Sequence, residues 1–166
     1  MTLLCLVRHG ETAWNAEHRV QGQLDVPLND VGRGQARAVA EALAGERFAA
    51  IYSSDLSRAR ETAEPAARLL GLPVRLDANL RERHYGIFER LTYAEVKERF
   101  PEDYARFERR EPEFDFRTGE SLRAFFARAV QCVLSIAERH AGERVLVFTH
   151  GGVLDYLYRF VNDLSR

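Results

Sequence analysis

Leu3-Leu4-Cys5-Leu6-Val7-Arg8-His9-Gly10-Glu11-Thr12 is a continuous apolar run that stops abruptly at Arg-His-Gly. Unbroken apolar character, rather than alternation, marks a parallel strand covered on both faces. The same pattern returns far down the chain, where Val145-Leu146-Val147-Phe148-Thr149 runs into His150-Gly151-Gly152. Two shorter runs, Ala49–Tyr52 and the weaker Val74–Leu76, add candidate strands. Helical patterns lie between them. Residues 30–44 place Ala36, Val39, Ala40 and Leu43 on one face, and residues 57–70 follow a candidate cap at Ser57 and stop at Gly71. Residues 120–140 space Leu122, Phe125, Phe126, Ala129, Val130, Val133, Leu134 and Ala137 at helical intervals. Strand–helix alternation of this kind predicts an α/β three-layer sandwich, a mainly parallel central sheet flanked by helices.

Residues 92–118 break the alternation. They are rich in Glu, Arg, Phe and Tyr, contain Pro101 and Pro112, and read as a helical excursion over one end of the sheet, covering the site. The 166 residues are expected to form one domain. Ligands of such sheets bind beyond the carboxyl ends of the strands, so residues just after strands carry the functional reading.

A lone histidine after a strand is more often structural. Two, His9 and His150, each after a strand and each followed by Gly, point to a shared site, because Gly allows close ligand approach. A helix starting after Gly152 would aim free N–H groups at the same place, a ready anion site. Ser53-Ser54-Asp55-Leu56-Ser57-Arg58-Ala59-Arg60-Glu61-Thr62 also follows a strand, and Arg58 or Arg60 could reach the pocket. Leu80-Arg81-Glu82-Arg83-His84-Tyr85-Gly86 packs titratable groups before a Gly. His84 could reach the pocket beside Glu82, whereas His18 and His140, in polar settings, read as solvent-facing.

Composition narrows the function. Lys plus Arg number 24 against 25 Asp plus Glu, for a net charge of −1, so neither a general nucleic-acid binder nor an anionic-membrane binder is expected. Arginine supplies all but one of the cations, Lys97 being the exception, and its planar fork suits phosphate and carboxylate. No apolar run is long enough to cross a bilayer, and no signal-peptide pattern leads the chain. Cys5 and Cys132 fit buried thiols of a reducing compartment, which makes a cytoplasmic location the expectation. Other chemistries fit poorly. A cysteine phosphatase needs Arg six residues after its Cys, but Glu11 and Glu138 stand there. There is no Walker loop, and no His-Glu-x-x-His or paired-Cys metal pattern.

Taken in order, Leu6-Val7-Arg8-His9-Gly10-Glu11-Thr12 with Asn15 and Gln21-Gly22, then Ser53 to Thr62, then Glu82, then Thr149-His150-Gly151-Gly152, resemble the histidine phosphatase superfamily, the phosphoglycerate mutase-like fold. The resemblance implies His9 as nucleophile, Arg8, Arg58 and His150 as the phosphate pocket, and Glu82 as acid/base. It places Asn15, Gln21, Gly22 and Gly151 around the phosphate, with no metal. Arg83-His84-Tyr85 after Glu82 looks like the mutase form, in which Arg83 and Tyr85 would contact the substrate. Against that, only 67 residues separate Glu82 from His150, where mutases insert a longer segment, and Arg109-Arg110 reads as a solvated helix end rather than a substitute for it. Gly119-Glu120-Ser121 resembles the helix start of the short phosphatases.

The expectation is therefore a phosphomonoesterase acting on a small phosphorylated metabolite through a phosphohistidine, without cofactor. The alternative is a phosphoglycerate mutase primed by 2,3-bisphosphoglycerate, and a lesser one a non-catalytic phosphate-binding module. Family members usually continue into another strand where this chain ends at Arg166. Either that strand is absent or the chain is truncated; loss of the strand would expose a sheet edge able to pair with another chain, as in a homodimer.

Overall fold

The computed structural model describes residues 1–164; Arg166, where the sequence ends, lies outside them. Among these residues four strands form one sheet: β1 (Leu3–Arg8), β2 (Ala50–Ser53), β3 (Val74–Leu76) and β4 (Arg144–Thr149). All pairs are parallel and the order is β1-β4-β2-β3. The helices are α1 (Ala13–Ala16), α2 (Asp30–Leu43), α3 (Ser57–Leu70), α4 (Tyr93–Arg99), α5 (Pro101–Glu108), α6 (Leu122–Arg139) and α7 (Gly151–Val161).

The unbroken apolar runs are explained by two cores. On one face Val145 and Val147 of β4 pack with Tyr52 against Phe125, Val133 and Ile136 of α6 and Val153 and Leu157 of α7. On the other, Leu146, Phe148 and Ile51 pack against Ala40 of α2 and Ala63, Ala66 and Ala67 of α3. Successive strand residues thus serve opposite faces, and both must be apolar.

Three local readings change. Ser57 is the first residue of α3 rather than its cap; Leu56 precedes the helix, and Ser57 gives its N–H and hydroxyl to Asp25 at 2.7 and 3.0 Å. On α6, Leu134 is exposed while Cys132 and Ile136 are buried, so the apolar stripe is rotated slightly from the one drawn on the sequence. The excursion is helical only through α4 and α5. Residues 109–121 turn irregularly, with positive φ at Arg110, Phe116 and Arg117. It has a core of its own, Val20, Phe88, Val96, Phe114 and Phe116, separate from the two sheet cores.

Candidate active site

The parallel pairing of β1 with β4 sets Arg8 opposite Thr149, so the next residues of both strands, His9 and His150, emerge side by side. Their ring centroids are 5.2 Å apart. His9 Nδ1 lies 2.7 Å from the Gly10 carbonyl, which can only accept, so Nδ1 carries the proton and Nε2 keeps its lone pair. Burial, then the charges of Arg58 and Arg8, push the His9 pKa down to about 3. The ring is thus neutral at ordinary pH, with a lone pair free on Nε2. Carbon-13 NMR of the imidazole should show no His9 titration between pH 5 and 8, and a transition near 6.5 would contradict this geometry. The unfolded ring binds a proton near its usual value and the folded ring only near 3. His9 therefore costs the folded state stability as pH falls from about 6.5 towards 3, and not above that window.

His150 is fully buried just before α7, and its pKa is lowered well below the usual range by burial and then by Arg58 and His9. Its Nε2 pairs with Ser54 Oγ at 2.8 Å, while Nδ1 is buried with no hydrogen-bond partner. Arg58, on the first turn of α3, is 1% exposed. Its Nη1 and Nη2 donate to the carbonyls of Leu24 and Gly22 at 2.8 and 2.6 Å, and its buried Nε has no partner. Burial lowers its pKa to about 10, which still leaves it cationic at neutral pH. Arg60, the other candidate on this helix, is exposed and pairs with Glu64. An exposed Arg8 lies beside Gly151, where a Cβ would come within 3.4 Å of its Nε.

Glu82 stands in the wall of the same cavity of about 260 Å³, which Arg8, His9, Asn15, Gln21, Gly22 and Arg58 also line. Its two oxygens accept from the backbone N–H of Arg83 at 2.8 Å and of Gly152 at 2.9 Å. Burial raises its pKa despite those two bonds and the nearby Arg58 and Arg8. The first turn of α7 therefore spends one free N–H on a carboxylate in the cavity wall. A Cβ on Gly152 would collide with Glu82 Oε1. Gly152→Ala should lower kcat by about 10²-fold through displacement of Glu82, with KM little changed, in steady-state kinetics on an alkyl phosphate.

The remaining candidates divide. Gln21 accepts the Thr12 hydroxyl at 2.7 Å, and Asn15 caps α1 through Thr12, both at the cavity. Tyr85 also lines it, with its hydroxyl held protonated by burial. Arg83 does not. Its Nε and Nη2 donate to the carbonyls of Glu120 and Phe114 at 2.9 and 2.7 Å, and its guanidinium stacks 4.5 Å from the Phe116 ring centroid. His84 is likewise away from the cavity, accepting from Gly86 N–H at 3.2 Å. His140 is buried rather than solvent-facing, bridging Tyr52 and Glu143 at 3.1 and 2.7 Å, whereas His18 is exposed at the cavity mouth. Sequence reasoning missed Trp14, Arg19 and Tyr93 in the wall; the Arg19–Thr92 bridge brings these loops together. Among the described residues no group of three or more His, Cys, Asp or Glu could hold a metal ion.

Two neutral imidazoles at adjoining strand ends, a buried arginine with an unsatisfied Nε and a carboxylate across the cavity are groups for binding and transferring a phosphoryl group. The model of the histidine phosphatase superfamily (branch 1) matches residues 4–166. The chain belongs to the histidine phosphatase superfamily. Phosphoglycerate mutase-like protein 4 of Arabidopsis thaliana is 47% identical over 166 residues, 98% of this chain and 72% of the relative. A metal-independent phosphoserine phosphatase of the same plant is 42% identical, over 99% of this chain and 71% of its own. Among solved structures, Bacillus stearothermophilus YhfR superimposes with a TM-score of 0.90 at 38% identity, covering 99% of this chain and 82% of that one. A mycobacterial glucosyl-3-phosphoglycerate phosphatase complexed with VO3 gives 0.85 at 36% identity, covering 96% and 80%. Both histidine phosphatases and phosphoglycerate mutases occur among the relatives of this superfamily chain, with the small phosphatases represented in sequence and in structure.

Proposed function

We propose that the protein is a phosphomonoesterase that hydrolyses small phosphorylated metabolites through a phosphohistidine at His9. The observation that carries this is the His9 tautomer: Nδ1–H is committed to Gly10, which leaves Nε2 to attack. In the first step Nε2 forms a bond to phosphorus, the ester P–O bond breaks, and protonated Glu82 gives its proton to the departing alkoxide. In the second, water attacks the phosphohistidine, Glu82 takes the water proton, and the P–N pair returns to Nε2. Arg58 and Arg8 meet the charge on the equatorial oxygens. If the Ser54 hydroxyl donates to His150 Nε2, His150 Nδ1–H becomes a neutral donor for the same group.

Phosphatase is favoured over mutase because Arg83 does not line the cavity and is engaged by two carbonyls. Phosphoserine and glucosyl-3-phosphoglycerate, the substrates named for two relatives, head the panel to be tried. No metal or organic cofactor takes part in the proposed route. Among the described residues no helix is long and apolar enough to cross a membrane. Free Cys5 and Cys132 suit the cytoplasm. A homodimer joined along β1, which among the described residues pairs only with β4, is testable by sedimentation.

Hydrolysis should survive excess chelator and be blocked by vanadate, whose trigonal-bipyramidal adduct occupies the positions of the transition-state oxygens. Loss on chelation with recovery on adding a divalent ion would overturn the histidine route. Transfer stimulated by 2,3-bisphosphoglycerate, with hydrolysis only a minor leak, would favour the mutase.

A further inference from the structure

Glu89 takes no part in the chemistry above, yet it is largely buried, its side chain 9% exposed. Its Oε1 accepts two backbone N–H groups from separate segments, Tyr85 at 3.0 Å and Gln23 at 3.1 Å. Gln23 is the middle of a tight turn, closed by Leu24 N–H donating to the Gln21 carbonyl at 3.0 Å. The carbonyls on either side of Gln23, those of Gly22 and Leu24, are the two that hold the Arg58 guanidinium. The Gln23 side chain donates to the Glu82 carbonyl at 3.2 Å. Gly22, at φ +54°, lies so close that a Cβ would collide with Glu89 Oε1 and come within 2.7 Å of its Cδ. A single carboxylate oxygen therefore joins the turn that fixes the phosphate-binding arginine to the segment that carries the acid/base.

We propose that Glu89 is a positioning residue that fixes the distance between Arg58 and Glu82 by clamping the Gly22–Leu24 turn to the backbone of Tyr85. This rests on the phosphatase reading for its kinetics, though not for its anion binding. The requirement is for an acceptor at one point rather than for a charge. An amide oxygen at the same place meets it; a shorter side chain or a methyl does not.

Two measurements test the clamp: equilibrium binding of vanadate, which needs no turnover, and kcat and KM on an alkyl phosphate, both well below each variant's melting temperature. Glu89→Ala should weaken vanadate binding at least tenfold and lower kcat/KM by about 10²-fold, the usual cost of a displacement near 1 Å. Glu89→Gln should recover both to within about threefold. Gly22→Ala should resemble Glu89→Ala, and in a Glu89→Ala background it should cost less, because the oxygen it strikes is gone and only the strain of a side chain at φ +54° remains. If Glu89→Ala does not fold, Glu89→Asp, which keeps the charge and loses the reach, should show the loss that Gln does not. Wild-type kinetics and vanadate binding in Glu89→Ala, or Gln no better than Ala or Asp, would overturn the proposal. A wild-type protein that binds vanadate but forms no phosphohistidine would instead remove the phosphatase reading and leave the vanadate test of the clamp standing.

Discussion

His9→Ala is expected to abolish covalent labelling by an isotopically marked phosphate ester, because the Nε2 lone pair that His9 offers to the cavity is gone. His150→Ala should still label, more slowly. It removes a neighbour of the reacting group rather than the atom that bonds to phosphorus, a loss on the order of 10²–10³-fold if it resembles removal of an oxyanion donor. The structure adds a reason for the asymmetry. His9 lines the cavity, while His150 is fully buried behind it and tied to Ser54. Rapid quench and phosphopeptide mapping separate the two variants. Label on His150 in the His9→Ala protein would reverse the assignment.

Glu82→Gln should divide the two half-reactions. The amide oxygen can still accept one backbone N–H, so shape is largely kept and proton transfer is lost, about 10²–10⁴-fold for an alkyl phosphate. With an aryl phosphate the phenolate leaves without a proton, and phosphorylation of His9 should be largely rescued. Water attacking the phosphohistidine still lacks a base. A stopped-flow trace should therefore show a burst of phenol and a slow steady state, with phosphorylated His9 accumulating. Equal losses on alkyl and aryl esters without a burst would make Glu82 structural. Glu11 and Glu89 are poorly placed to replace it, since neither lines the cavity that His9, Arg58 and Glu82 share.

The sheet and both histidines were legible because the physics there is local. A strand buried on both faces must be apolar throughout, and the residue after it is forced out at the strand's carboxyl end. Arg58 was separated from Arg60 only by the family resemblance, although its burial has a local trace: its carbonyl accepts the Thr62 hydroxyl on the buried face of α3 at 2.6 Å. What was not legible depends on contacts between distant segments. Nothing in Glu82-Arg83 says that Gly152 will hold the carboxylate, 70 positions away. Nor does it say that Arg83 will turn toward Phe114, Phe116 and Glu120. The phenylalanines of residues 100–116 carried a usable signal. So many large apolar rings in a charged segment need a core, and the Arg83 guanidinium stacks on Phe116 of that core instead of lining the cavity.

That third core also makes the enzyme modular. His9, Arg58 and His150 are anchored to strand ends and to α3, whose packing rests on the two sheet cores. Of the other cavity-lining residues, Val20 and Tyr85 belong to the core gathered around Phe88 and Phe116, and the Arg19–Thr92 bridge ties the segment after Trp14 to the one before Tyr93. New substrates can be accommodated by redrawing this roof while the floor is inherited unchanged, which is how one fold comes to serve many phosphate esters.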